Sequence, residues 1–147
     1  VTPGTYLERT PTLVEKMIVM RRSSMWAAAN LDALAELCRH VEEVRIRAGE
    51  LVWEIGDPSV YSTRLEYGIA LCTNEKGESV RVGGGHVLGG LDAIAGTPRC
   101  YRVETETECI FFRVRAATQL GILEAHPQLA ARMRHDLSRV ILAEQAP

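Results

Sequence analysis

The sequence predicts a mainly β fold with flanking helices, and three observations lead to it. Short alternating segments, divided by glycine-containing turns about every 8–12 residues, fill the middle of the chain and are typical of a β-barrel, roll or sandwich. Helical spacing of apolar residues precedes this middle part and returns after it. The length of 147 residues suits one domain with a substantial core, which Trp26 and Trp53 are predicted to anchor.

Two helices are predicted before the first strand. Thr12 and Glu15 form a capping box, which predicts a helix over residues 13–22. Asn30 predicts the start of a second helix, because a side-chain oxygen there caps unpaired backbone N–H groups. The segment before Thr12 contains two prolines and a glycine, so it is predicted to be irregular.

The pattern changes to a strand period at about Val41 and returns to a helical one after residue 114. The predicted strands cover residues 43–47, 51–55, 65–73, 79–82, 99–104 and 109–114. Helices are then predicted over residues 117–125 and 127–144. An apolar stripe on the last helix predicts packing on the strands or on a second subunit, and it consists of Leu129, Met133, Leu137, Val140 and Ile141.

Composition and charge exclude several classes of protein. The formal net charge of −2 lacks the strongly basic character of a nucleic-acid-binding domain. No apolar run reaches the roughly 18 residues of a membrane span, and the first residues show no signal-peptide pattern. The cysteines show no CxxC spacing, which predicts free thiols in a reducing cytoplasm and no zinc site. They are Cys38, Cys72, Cys100 and Cys109.

No catalytic pattern is visible in the sequence. A Ser/His/Asp order, a nucleophile elbow and a zinc signature are all missing. The histidines are scattered without metal-ligand spacing, at His40, His86, His126 and His135. We therefore expect no enzyme and no resident cofactor or metal.

The stretch from His86 to Cys100 has the arrangement of an anion site. It consists of a glycine-rich turn, a very short apolar helix, a Thr-Pro break and then Arg99, which opens a strand. Glycines let the backbone approach a ligand closely, and the first N–H groups of a helix have no partners of their own. The guanidinium adds a fixed charge and a planar fork that suits phosphate.

The order of the turn residues resembles the cyclic nucleotide-binding domain of bacterial catabolite activators, protein kinase regulatory subunits and gated channels. The landmarks are Ala48-Gly49-Glu50, Gly56-Asp57-Pro58, Gly68, Gly89, Pro98-Arg99 and His126-Pro127. The resemblance implies a jelly-roll-like β-roll (a double-stranded β-helix) with N-terminal helices and a C-terminal helix pair. Residues 31–147 would form the domain, and residues 1–30 an N-terminal segment with a lead-in helix.

The resemblance also implies a phosphate-binding site formed by residues 89–101, called the cassette below. Gly89 would lie in its turn, and the backbone N–H groups of Gly90 and Leu91 would hold a cyclic phosphate together with the Arg99 side chain. The implied ligand is cyclic AMP or cyclic GMP, or another small anion. The last helix would move on binding or mediate contacts between two copies.

Several cassette positions depart from the pattern of that family. Gly90 stands where the family has a glutamate for the ribose 2′-hydroxyl, and its loss is expected to weaken binding about 10- to 150-fold. Cys100 replaces a usual Ser, Thr or Ala, which removes a hydroxyl contact with phosphate. Tyr101 falls near a preferred alanine, where a phenol either packs or crowds the pocket. Asp92 lies two residues beyond Gly90 and could substitute for the missing carboxylate.

Two functions are compatible with these residues. The first is a regulatory sensor module with weak or altered cyclic nucleotide binding. The second is a structural or protein-interaction domain that keeps the roll but has lost the ligand. The start at Val1 and the end at Pro147 suggest a piece of a longer protein. The expected partners are a covalently linked effector or transporter domain and a second copy of the chain.

Overall fold

The computed structural model describes residues 10–23 and 26–145, with side chains as far as residue 143. Most of the segment that the sequence predicts to be irregular, residues 1–9, lies outside the described residues.

Helices flank the strands at both ends of the described chain. The helices are α1 (Leu13–Arg21), α2 (Leu31–Arg39), α3 (Gly90–Ala95), α4 (Ala116–Ala125) and α5 (Pro127–Gln145). The strands are β1 (Glu42–Ile46), β2 (Leu51–Trp53), β3 (Tyr61–Tyr67), β4 (Ala70–Thr73), β5 (Ser79–Val82), β6 (Val87–Leu88), β7 (Arg102–Thr105) and β8 (Cys109–Arg115).

The starts of α1 and α2 are where the capping residues predict them. Thr12 Oγ1 accepts a hydrogen bond from the N–H of Glu15 at 3.3 Å, and Glu15 Oε1 accepts one from the N–H of Thr12 at 3.4 Å. Asn30 Oδ1 accepts from the N–H of Ala33 at 2.8 Å. Each bond satisfies a backbone donor that the helix itself leaves unpaired.

The strands form two antiparallel sheets of four. The strand orders are β1-β8-β3-β6 in one sheet and β2-β7-β4-β5 in the other. Neighbours within a sheet are mostly distant in sequence, as in a jelly-roll-like β-roll. The structure therefore confirms the predicted fold class, a mainly β roll with N-terminal helices and a C-terminal helix pair.

Strand β8 separates two apolar cores. Cys109 and Phe111 belong to the core between the sheets, together with Trp53, Leu65, Ala70, Leu88 and Val103. Ile110, Phe112 and Val114 belong to the core beneath the helices, which includes Trp26, Leu34 and Leu37. Because successive side chains of a strand point to opposite faces, one strand serves both cores.

The single strand predicted over residues 65–73 is wrong, because the chain changes sheets at Gly68. β3 ends at Tyr67 in one sheet, and β4 starts at Ala70 in the other. Gly68 has φ +97°, a left-handed conformation, and a Cβ there would overlap the carbonyl oxygen of Glu108. The strand predicted over residues 99–104 also begins later, at Arg102, because Arg99 to Tyr101 form a loop.

The apolar stripe of α5 is only partly covered. Leu129 and Met133 are buried in the core beneath the helices, and Leu137 is packed against that core while remaining partly exposed. Farther along the helix, Val140 and Ile141 are 57% and 53% exposed. The predicted packing of α5 on the roll is therefore confirmed for its first half.

No helix in the described part of the chain is both long enough and apolar enough to cross a membrane.

The crossing at Gly68 yields a prediction for stability. We expect Gly68→Ala to destabilise the fold by about 1–3 kcal/mol more than Gly49→Ala, as measured by urea-induced unfolding. Both glycines have positive φ, which alone costs an alanine about 1–2 kcal/mol, but a Cβ at Gly49 would meet no atom within 4 Å. Equal losses for the two variants would contradict the close approach of Gly68 and Glu108.

Candidate functional site

The cassette lies around α3, and its glycines permit an unusually close approach of backbone and side chain. Gly89 precedes the helix with φ +68°, and Gly96 follows it with φ +69°. A Cβ at Gly89 would overlap the guanidinium of Arg99 and would lie 3.0 Å from the Trp53 ring. Only glycine fits between these groups, so the turn and the Arg99 side chain depend on each other.

The Arg99 side chain is buried and is held by backbone carbonyls. Its Nη1 donates to the oxygen of Gly89 at 2.7 Å, and its Nη2 donates to the oxygen of Tyr61 at 2.5 Å. The guanidinium carbon lies 3.9 Å from the centroid of the Trp53 ring, a cation–π contact. Within the described residues, its Nε has no hydrogen-bond partner.

The main chain of Arg99 is also fixed. Its N–H donates to the oxygen of Asp57 at 2.9 Å, and its carbonyl accepts from the N–H of Gly56 at 2.8 Å. Burial lowers the pKa of the guanidinium, and nearby Asp92 opposes that effect. Arg99 therefore joins the Gly56-Asp57 turn, the start of β3 and the start of α3.

Tyr101 takes the backbone donor at the start of the cassette. Its hydroxyl accepts a hydrogen bond from the N–H of Gly89 at 2.8 Å. Its carbonyl accepts from Trp53 Nε1 at 2.8 Å, and the two ring centroids are 6.1 Å apart. Burial raises the pKa of the phenol to about 12, so the side chain is neutral near pH 7.

Asp92 and Cys100 face each other across the cassette. Asp92 is only 8% exposed. Cys100 Sγ donates to Asp92 Oδ1 at 3.4 Å, and the N–H of Cys100 reaches Asp92 Oδ2 at 3.5 Å. Burial and then the neighbouring Asp92 raise the pKa of the Cys100 thiol.

A cleft of about 280 Å³ opens between the cassette and α5. Six of the seven residues that the sequence proposes for ligand binding line it, namely Gly89, Gly90, Leu91, Asp92, Cys100 and Tyr101. The seventh, Arg99, is not among the lining residues. The guanidinium therefore lies behind the wall of the cleft.

Other residues of the site escape sequence reasoning. Val87 and Leu137 complete the lining of the cleft, while Trp53 and Tyr61 hold the arginine. Leu137 belongs to the apolar stripe that the sequence predicts on α5. Its contact with the cassette depends on how α5 packs on the roll, which the sequence pattern does not show. Tyr61 contributes a carbonyl, which any residue type would supply, so no sequence signal could reveal it.

A Cβ at Gly90 would have little room. It would lie 3.2 Å from Val87 Cγ1 and 3.5 Å from Ser62 Oγ.

Within the described residues, no group of three or more His, Cys, Asp or Glu side chains could hold a metal ion.

Solved structures with the same architecture include two parts of transcriptional regulators. The N-terminal domain of a regulator from Streptomyces coelicolor A3(2) aligns with TM-score 0.72 and 22% identity, covering 86% of this chain and 94% of that one. The sensor domain of the regulator DNR from Pseudomonas aeruginosa aligns with TM-score 0.78 and 15% identity, covering 90% and 92%.

A third structure connects the fold with cyclic nucleotides. It is a protein from Geobacter metallireducens GS-15 provisionally named as cyclic nucleotide-binding, and it aligns with TM-score 0.71 and 14% identity over 86% of this chain and 96% of that one. The chain thus has the fold of cyclic nucleotide-binding domains, which confirms the resemblance carried by the turn residues. No protein-family model and no curated protein sequence matches it.

The geometry of Arg99 yields a stability prediction. We expect Arg99→Ala to lower the free energy of unfolding by about 2–4 kcal/mol, because it removes two buried hydrogen bonds to the carbonyls of Gly89 and Tyr61 and the cation–π contact with Trp53. The matched control is Arg81→Ala, since Arg81 is exposed and pairs with Glu106 where solvent screens the charges, so its loss should destabilise the fold much less. Equal unfolding midpoints for the two variants in urea would contradict a structural role for Arg99.

The hydroxyl of Tyr101 yields a second prediction. We expect Tyr101→Phe to lower the free energy of unfolding by about 1–3 kcal/mol and to speed amide hydrogen exchange at Gly89, whose N–H loses its acceptor. Tyr67→Phe is the control, because that side chain is exposed on β3. Unchanged exchange at Gly89 would show that the N–H does not depend on the phenol.

Proposed function

We propose that this domain is a regulatory sensor module of the cyclic nucleotide-binding type, in which the cassette binds cyclic nucleotides only weakly. The fold and the place of similar domains in two transcriptional regulators support a regulatory rather than a catalytic role. Fold alone does not establish a ligand, so the proposal about binding strength depends on the cassette itself.

The position of the Arg99 guanidinium is the observation that carries the proposal. Arg99 does not line the cleft, so a phosphate there could reach the guanidinium only if the side chain moved away from the carbonyls of Gly89 and Tyr61. Breaking hydrogen bonds to these buried carbonyls costs about 1–3 kcal/mol. The absence of a carboxylate at Gly90 makes the free energy of binding less favourable by roughly a further 1.5–3 kcal/mol. The two losses together would weaken a micromolar dissociation constant to about millimolar.

The backbone N–H of Gly89 also has a hydrogen-bond partner within the protein. It donates to the Tyr101 hydroxyl, so a phosphate at that donor has to displace the phenol. The side chain that the sequence flags as crowding the pocket thus makes a specific hydrogen bond with the cassette. This supports a site whose Gly89 N–H group is hydrogen-bonded without a ligand.

Leu137 supplies the proposed coupling to α5. Among the described side chains of α5, Leu137 lines the cleft, so an occupant of the cleft would contact the helix directly. A ligand shifts the helix only to the extent that it binds two helix positions with different affinity. The proposed output is a linked effector or transporter domain, or a second copy bound through α5.

The cytoplasm is the proposed location. None of the four cysteines is in a disulfide, and Cys38 and Cys109 are buried. Unpaired thiols of this kind are typical of reducing compartments.

The alternative is a protein-interaction domain without a ligand. It is favoured by Val140, Ile141 and Leu142, which expose apolar surface near the end of α5. Exposed apolar patches of this kind often mark contact surfaces.

Calorimetric titration with cyclic AMP and cyclic GMP tests the proposal. We expect roughly millimolar dissociation constants for the unaltered chain. The double variant Val87→Ala, Gly90→Glu should bind at least about tenfold more tightly, because it restores the carboxylate and removes the methyl group that a Cβ at position 90 would meet. Val87→Ala alone is the control and should not tighten binding.

The outcomes separate the two functions. Micromolar binding by the unaltered chain would contradict the weakened cassette. Absence of binding in the unaltered chain, in the double variant and in Tyr101→Ala would favour the interaction domain.

A further inference from the structure

The charge at the surface of the cleft is negative. Among the described residues that line it, Asp92 alone has a charged side chain. The remaining side chains are apolar or neutral, with Val87, Leu91 and Leu137 forming the apolar part. The Arg99 guanidinium, the cation expected to attract an anion, does not line the cleft and is engaged with two carbonyls and the Trp53 ring.

The Asp92 carboxylate is incompletely satisfied. Its contacts within the described residues are a thiol at 3.4 Å and a backbone N–H at 3.5 Å, both from Cys100. Thiols are weak donors, and 3.5 Å lies beyond the usual N–H to oxygen distance of about 2.7–3.2 Å. Arg99 is near enough to attract the carboxylate electrostatically, but its two hydrogen bonds described above go to backbone carbonyls and not to Asp92. A buried carboxylate in this state favours a ligand that donates charged N–H groups.

The apolar walls restrict the rest of such a ligand. A cleft of about 280 Å³ is small for a ligand site and does not suit a bulky polyanion. Leu91 is 63% exposed at its rim, and Leu137 approaches from α5. A compact apolar group would cover both side chains while its polar end reaches Asp92.

We propose that the cleft selects a small organic cation, with an ammonium or amidinium group at the Asp92 carboxylate and an aromatic or aliphatic body against Val87, Leu91 and Leu137. The proposal rests on the proposed function in treating this cleft as the ligand site of the sensor. It differs from the family pattern in the sign of the charge that the site prefers. Asp92 is then the residue that determines specificity.

Three probes of similar shape test the charge preference. Phenethylamine is the cation, 2-phenylethanol the neutral molecule and 3-phenylpropionate the anion, each titrated into the ¹⁵N-labelled chain at constant ionic strength. We expect phenethylamine to bind about tenfold more tightly than the alcohol, a ratio typical of one charge-assisted hydrogen bond, and the anion to bind least. Amide shifts should occur at Leu91, Cys100 and Leu137.

Two variants assign the preference to Asp92. Asp92→Asn keeps the shape of the side chain and should reduce the ratio of amine to alcohol affinity to about one. Glu124→Gln removes the same charge from an exposed position on α4 and should leave the ratio unchanged. Leu137→Ala should weaken all three probes alike, and it tests the apolar wall independently of the Asp92 variant.

The results distinguish this proposal from the one about cyclic nucleotides. Tighter binding of the anion, or a preference that survives in Asp92→Asn, would overturn the cation site while leaving a ligand-binding cleft. No shift at any of the cleft amides with any probe would also overturn it. Cyclic nucleotide binding in the calorimetric experiment is decided separately and does not depend on these probes.

Discussion

The double role of β8 is the constraint on which the rest of the structure depends. The strand pairs with β1 on one side and with β3 on the other, so both of its edges are occupied. Its two faces belong to different apolar cores, one between the sheets and one beneath the helices. A strand enclosed in this way cannot slip by one residue, because a slip would exchange the side chains of the two cores.

The position of the cassette depends on β8 because β8 pairs with β3, and β3 pairs with the strand that precedes the cassette. The partner of β8, strand β3, pairs on its other edge with β6, which leads directly into Gly89. The first residue of β3, Tyr61, supplies a carbonyl to Arg99. The arginine that is expected to attract phosphate is thus also part of the framework that holds the turn, because it binds two backbone carbonyls there.

Local sequence signals predicted the elements that local physics determines. The capping residues Thr12 and Asn30 placed two helix starts correctly, and the short strand predicted over residues 109–114 matches β8 to within one residue. The failures concern tertiary relations. The sequence predicts a continuous strand across Gly68, because the residues on both sides favour strands, whereas the positive φ and the approach of Glu108 that require glycine arise from the tertiary fold. The two-residue strand β6 is too short for any period to be visible.

In the candidate site, too, the local features were predictable from the sequence and the tertiary contacts were not. Glycines and apolar residues near α3 predicted a turn and a short helix, and the structure has both. The direction of the Arg99 side chain could not be predicted, because it depends on the carbonyl of Tyr61 and the ring of Trp53, which are 38 and 46 residues away in sequence. The same holds for Leu137, whose contact with the cleft depends on the return of α5 over the roll.

The partial covering of α5 bears on the kind of signal that this helix would transmit under the proposed function. Leu129 and Met133 fix its first turns in the core, whereas Val140 and Ile141 have no such support within the described residues. Leu137 lies at the boundary between these two halves, and it is also the helix's contact with the cleft. Local opening is easiest where apolar contacts are few. A molecule in the cleft would therefore change how much of the distal half of α5 is ordered. A neighbouring domain would then respond to the length of the ordered helix and not to a rigid-body rotation of α5.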